Sequence, residues 1–160
     1  MAVLAINGGE RTRTEEWPKW PPEDPGFLDN LTAVLKSGVW GTAGGWTQKA
    51  IEMMCDHHGA SHGVALSSGT TALDVALRSV GVTVGSEVIV PPYTFLATAS
   101  SVVSVGAVPI FVDIDPATFN LDPAKLEAAI TDRTRAIIAV HIGGSPAAMD
   151  EIMEIARRHG

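Results

Sequence analysis

At 160 residues and 46% apolar side chains, the chain is long enough for one domain with a buried core and too apolar for a disordered one. A net charge of −7 without a basic run argues against a nucleic-acid footprint and a polybasic membrane patch, and no apolar run is long enough to span a bilayer. The single Cys55 rules out an internal disulfide framework and any multi-cysteine zinc site, and the apolar start Met1–Ile6 is too short for a signal peptide, so the expected compartment is the cytoplasm.

Residues 1–25 read as an arm rich in Pro and Trp, with Trp17 and Trp20 set among Pro18, Pro21, Pro22 and Pro25. Two exposed indoles are costly, so they pack either onto the chain's own core or across a dimer contact. A helix is expected from Pro25 to Lys36, because Phe27, Leu28, Leu31, Val34 and Leu35 recur at helical spacing and Pro25 suits a first turn. Ser37-Gly38 ends it. The glycine-rich loop Val39–Trp46 lacks the Gly-Lys-Ser/Thr ending of a nucleotide P-loop. A second helix follows from Thr47 to His58, with Cys55 on its apolar side as a plain core thiol and Gly59 as its stop. His57, His58 and His62 flank that stop without the i, i+4 spacing of a helical zinc pair. They read as helix-end residues complementing the dipole, and no metal site is expected.

From His62 the chain alternates regularly. Strands are expected at Val64–Leu66, Glu87–Val90, Val108–Val112 and Arg135–His141. Helices are expected at Thr70–Val80 and Thr94–Val105, after Asp122-Pro123, and from Ser145-Pro146 onward. Near-continuous apolar strands separated by helices imply an α/β fold: a mostly parallel sheet with helices on both faces, in three layers. In such sheets ligands lie beyond the carboxyl ends of the strands. Ser67-Ser68-Gly69-Thr70, Pro91–Phe95, Asp113 and His141 all fall at those ends.

At the first junction an apolar strand turns directly into a helix. The free N–H groups of the helix start, with the positive end of its dipole, suit a phosphate, and Gly69 lets an oxygen approach the backbone closely. An ordinary Ser/Thr cap explains the same residues. The convergence of the other strand ends on one rim favours the phosphate.

Ser68-Gly69-Thr70-Thr71-Ala72-Leu73 resembles a known phosphate-binding turn, and Gly85–Phe95 resembles the strand and ring-stacking aromatic that follow it. Gly106–Asp115 with Asn120-Leu121-Asp122-Pro123, then Val140–Asp150 with Ile155-Ala156 and His159-Gly160, continue the pattern in order. Together these resemble the pyridoxal-phosphate-dependent sugar aminotransferases of the DegT/DnrJ/EryC1/StrS type, over nearly the whole chain. The arm with Gly8-Gly9, Trp17-Pro18 and Trp20-Pro21 is similar to members acting on cyclitol ketones and antibiotic precursors.

The resemblance implies the amino-terminal part of the large domain of an aspartate-aminotransferase-like fold, with residues 1–25 as arm and 26–160 as that part. It implies that Ser68, Gly69 and Thr70 hold the phosphate of pyridoxal 5′-phosphate and that Phe95 stacks on its ring, unless Phe95 is simply a core aromatic. Tyr93 and His141 would meet the substrate. It further implies amino transfer from an amino-acid donor to a keto-sugar or cyclitol ketone by a homodimer, with no nucleic-acid or membrane partner. The family's pyridine-nitrogen carboxylate and Schiff-base lysine follow the His-Gly at which this sequence ends, so no catalytic residue is assigned within it. Lys19, Lys36, Lys49 and Lys125 match no catalytic motif, and Ile142 stands where many members have Tyr. The expectation is therefore the amino-terminal piece of such an enzyme. The alternative is a non-catalytic stub or partner subunit that keeps the phosphate cradle and dimer surface.

Overall fold

The computed structural model describes residues 3–41 and 44–160, in two compact units, Met1–Ala65 and Leu66–Gly160. Met1, Ala2 and, from the glycine-rich loop, Thr42 and Ala43 lie outside the described residues.

The first unit holds a 3-10 turn, Ala5–Asn7, and two helices, α1 (Gly26–Ser37) and α2 (Gly45–His58). Asp24 Oδ1 accepts the Gly26 N–H at 2.7 Å and starts α1. Gly38, at φ 68°, ends it in the left-handed conformation that glycine adopts without penalty. Beyond α2 the chain doubles back so closely that a Cβ on Gly63 would lie 2.9 Å from Cys55 Sγ and Ile51 Cγ2. Cys55 is half-buried there rather than fully in a core. His58 Nδ1 lies 2.9 Å from Met54 O, which fits the helix-end reading, and no metal-ligating cluster occurs among the described residues. Phe27, Leu28, Leu31 and Leu35 of α1 are exposed, as are Trp17 and Trp20, and the Arg13 guanidinium lies 4.5 Å from the Trp17 ring centroid.

The second unit is built on a three-stranded parallel sheet of β1 (Glu87–Val90), β2 (Val108–Phe111) and β3 (Thr134–Ile137), in the order β2-β1-β3. Ile89 of β1 pairs with Ile110 on one side and Ile137 on the other. The strand period of two sends Val88 and Val90 to one face and Ile89 to the opposite one. On the first face, Val88 and Val90 pack with Leu77 of α3 (Gly69–Ser79) and Val102 of α4 (Ala97–Ser104). On the second, Ile89 packs with Ile152 and Ile155 of α5 (Met149–His159) and with Leu121 and Leu126. The expected three layers are thus present, and β1 is buried along its whole length.

Val64–Leu66 does not form the expected strand: it has no regular secondary structure and no ladder partner among the described residues, and Val64 and Leu66 are exposed. A strand needs a neighbour for its backbone donors and acceptors, and neither edge strand of the sheet, β2 or β3, pairs with this segment. After Asp122 the chain makes two 3-10 turns, Pro123–Lys125 and Glu127–Ala129, in place of a regular helix. α4 and α5 begin at Ala97 and Met149, later than Thr94 and Ser145, because a rim turn precedes each.

An ion pair between a buried carboxylate and a largely exposed guanidinium fixes the base of the sheet. The Glu87 carboxylate accepts from Thr131 Oγ1 at 2.5 Å and from Arg133 Nε at 2.9 Å, and it also pairs with the second guanidinium nitrogen. The Thr131 hydroxyl first, and the Arg133 guanidinium second, hold its carboxyl below the usual carboxylate range.

Candidate functional site

Because the three strands are parallel, the segments leaving them emerge on one rim. These are Pro91–Phe95 after β1, Val112-Asp113 after β2 and Ile138–His141 after β3. α3 and α4 pack together, and the turns after them meet at the opposite end, where Gly85 N donates to Gly106 O at 3.0 Å. Both helices therefore run from the rim towards the base, with their N-terminal, positive ends at the rim.

At the start of α3 the capping reading is realised. Ser68, extended at φ −161° and ψ 163°, accepts the Thr71 N–H on its hydroxyl at 3.2 Å. The Thr71 hydroxyl lies 3.0 Å from Ser68 Oγ and 3.4 Å from Ser67 Oγ. This cap occupies one of the free donors of the first turn, and Ala72 N returns to Ser68 O at 3.0 Å. The N–H groups of Gly69 and Thr70 find no acceptor among the described residues. A Cβ built on Gly69 meets nothing within 4 Å, so no neighbour of the fold demands glycine there. Two open donors, a helix dipole and clear space above a glycine fit a phosphate, and the cap leaves them available.

Phe95 is 78% exposed and so is not a core aromatic. Its backbone carbonyl takes the Thr98 N–H at 3.0 Å as α4 begins, while its ring stays free. Tyr93 is exposed and tilts against Phe119, with ring centroids 5.9 Å apart. Phe119 adopts φ 61° inside a tight turn, where its N–H donates to Asp115 O at 2.7 Å. His141 is exposed beyond β3, and its Nδ1 accepts the Ala147 N–H at 2.9 Å.

Asp113 and Lys125 form an ion pair at the same rim, 3.2 Å apart, with Asp122 3.5 Å from the ammonium. The Ile114 N–H, then Lys125, hold the Asp113 carboxyl below its ordinary range, and Asp113 above all raises the Lys125 ammonium. Lys125 is thereby kept charged rather than nucleophilic. Asn120 lies in a motif of the sequence reading but is given no role there. It is 3% exposed, and its amide bonds carbonyls 25 and 26 residues downstream, a separation no local pattern reveals.

The chain matches the DegT/DnrJ/EryC1/StrS aminotransferase family over residues 22–160. It belongs to that family. The L-glutamine:2-deoxy-scyllo-inosose aminotransferase of Micromonospora echinospora is 46% identical over 165 aligned positions, covering 99% of this chain and 39% of the relative. The L-glutamine:scyllo-inosose aminotransferase of Streptomyces griseus is 44% identical, covering 98% of this chain and 38% of the relative. Among solved structures, 3-amino-5-hydroxybenzoic acid synthase superposes with a TM-score of 0.87 at 39% identity, over 92% of this chain and 39% of that one. NtdA from Bacillus subtilis, solved with bound PMP, superposes with a TM-score of 0.80 at 39% identity, over 82% of this chain and 30% of that one. This member of the DegT/DnrJ/EryC1/StrS family thus spans about two fifths of the length of the relatives it matches. No helix among its described residues is long and apolar enough to cross a membrane.

Proposed function

We propose that this chain supplies the phosphate-holding and ring-stacking part of a pyridoxal-phosphate-dependent aminotransferase. The reaction moves an amino group from an amino-acid donor, glutamine by analogy with the relatives, to a cyclitol ketone or keto-sugar. The observation that carries the reading is the α3 start, where the open Gly69 and Thr70 N–H groups sit beside a glycine with free space above it. Ser68 holds that first turn in shape through Thr71. Phe95 offers an uncovered aromatic face beyond β1, and Tyr93 and His141 line the substrate side. When bound, the cofactor supplies an electron sink for the carbon that gains or loses the amino group. The residues of this chain bind its phosphate, cover one ring face and orient the ketone. Residues 26–160 then form the amino-terminal portion of the cofactor domain, and residues 1–25 an arm. The exposed Trp17, Trp20 and α1 stripe support a homodimer in which a second copy covers them.

A chimera tests the reading. Residues 1–160 replace the matching segment of the Micromonospora echinospora relative, and glutamine-dependent amination of 2-deoxy-scyllo-inosose is assayed. Activity that needs added pyridoxal phosphate is expected. A folded chimera that neither binds the cofactor nor transfers the amine would refute the assignment.

A further inference from the structure

Asn120 makes three bonds across one turn. Its Nδ2 donates to Ser145 O and to Pro146 O, each at 3.1 Å, and its Oδ1 accepts the Ile142 N–H at 3.0 Å. The turn it clasps contains Gly143 at φ 58° and Gly144 at φ 82°, left-handed positions without a sheet ladder to hold them. The side chain is 3% exposed, so each of these bonds forms out of water and leaves no amide group unsatisfied. Just past the clasp, Ala147 N donates to His141 Nδ1 at 2.9 Å, and Ala147 itself is buried. A backbone amide nitrogen can only donate in such a contact. Nδ1 must then carry the lone pair, and the ring proton of the neutral imidazole sits on Nε2. Nε2 finds no partner among the described residues, and the residue is exposed at the rim.

We propose that His141 is presented as a fixed Nε2–H donor to a hydroxyl or carbonyl oxygen of the substrate, and that Asn120 is the positioning residue that keeps it so. The identity of the acceptor rests on the aminotransferase reading; the form of the ring does not. With the turn intact, Nε2 already bears its proton and cannot accept another. His141 therefore orients an oxygen-rich ring and does not serve as the base of the reaction. Asn120 acts through the turn and touches no ligand.

Imidazole nitrogen NMR on the 15N-labelled 160-residue chain tests this, with His141→Gln identifying the signals. The wild-type chain should show His141 as the Nε2–H tautomer, with its Ala147 amide protected from exchange. Asn120→Asp keeps an acceptor for Ile142 N–H but turns an oxygen against two carbonyls. It should mix the tautomers and speed Ala147 exchange by about tenfold, the scale of one lost hydrogen bond. Should Asn120→Asp lose its dispersed amide spectrum, Asn120→Ala carries the same comparison without adding charge. An Nδ1–H form or an even mixture in the wild type would overturn the donor assignment. An unchanged tautomer in folded Asn120 variants would overturn the positioning role. Neither readout involves cofactor or turnover, so the failure of the aminotransferase reading would leave both standing.

Discussion

Glu87 shows how a single residue ties sequence-distant parts together. It belongs to β1, yet its carboxylate is held by Thr131 and Arg133, which lead into β3. The carboxylate is buried while the Arg133 guanidinium is mostly exposed, so losing the carboxylate charge weakens the charge-assisted hydrogen bonds from Thr131 and Arg133 and leaves the cation in water. The folded-state carboxyl titrates below its ordinary value of 4.5. Its contribution is therefore complete above that value and is lost as pH falls through the lower, folded one. Glu87→Gln should lower the urea midpoint at neutral pH, and the gap to wild type should narrow below about pH 4.5 as wild type loses the same interaction. Midpoints measured between about pH 7 and about pH 3 check this; a gap that widens in acid would contradict it.

At the scale of elements, the α3 start separates two roles that the sequence presents together. Ser68→Ala removes the cap and should cost about 1 kcal/mol of stability, read as a lower urea midpoint. Gly69→Val should leave folding nearly unchanged, because a Cβ there meets nothing within 4 Å. The same change should weaken pyridoxal-phosphate binding about tenfold or more in the chimera, since a branched side chain fills the space a phosphate oxygen needs. Equal affinity for the cofactor in both proteins would count against the cradle. The strands of the sheet were legible in the sequence as short apolar runs bounded by turns, and β1 fell on its expected residues, Glu87–Val90. Val64–Leu66 carries the same signal but forms no strand, because pairing depends on a neighbour and not on composition. The rim residues Phe95 and His141 were legible through motif and position. Asn120 and the Asp113–Lys125 pair were not, since both depend on contacts between segments that a local pattern does not register.

For the whole molecule, the amines bear on what the chain does by itself. Lys19, Lys36 and Lys49 are exposed on the arm, α1 and α2, and Lys125 at the rim is held as an ammonium by Asp113 and Asp122. Treating the 160-residue chain with pyridoxal phosphate and borohydride should label several lysines substoichiometrically, with no amine transfer from glutamine to scyllo-inosose. One stoichiometric lysine coupled to turnover would reverse that expectation. The central place of β1 has a kinetic consequence too. Val88 pairs with Pro109 and also with Ala136, more than twice as far along the chain. Closing the longer loop costs about 0.6 kcal/mol more per doubling, so β1, α4 and β2 should assemble first and β3 should dock onto them late. Ile110→Val and Ile137→Val each remove one methyl group, at a cost of roughly 1 kcal/mol. In stopped-flow refolding the first should slow folding, and the second should act mainly by hastening unfolding. The reverse pattern would mean that the two edges of the sheet close in the opposite order.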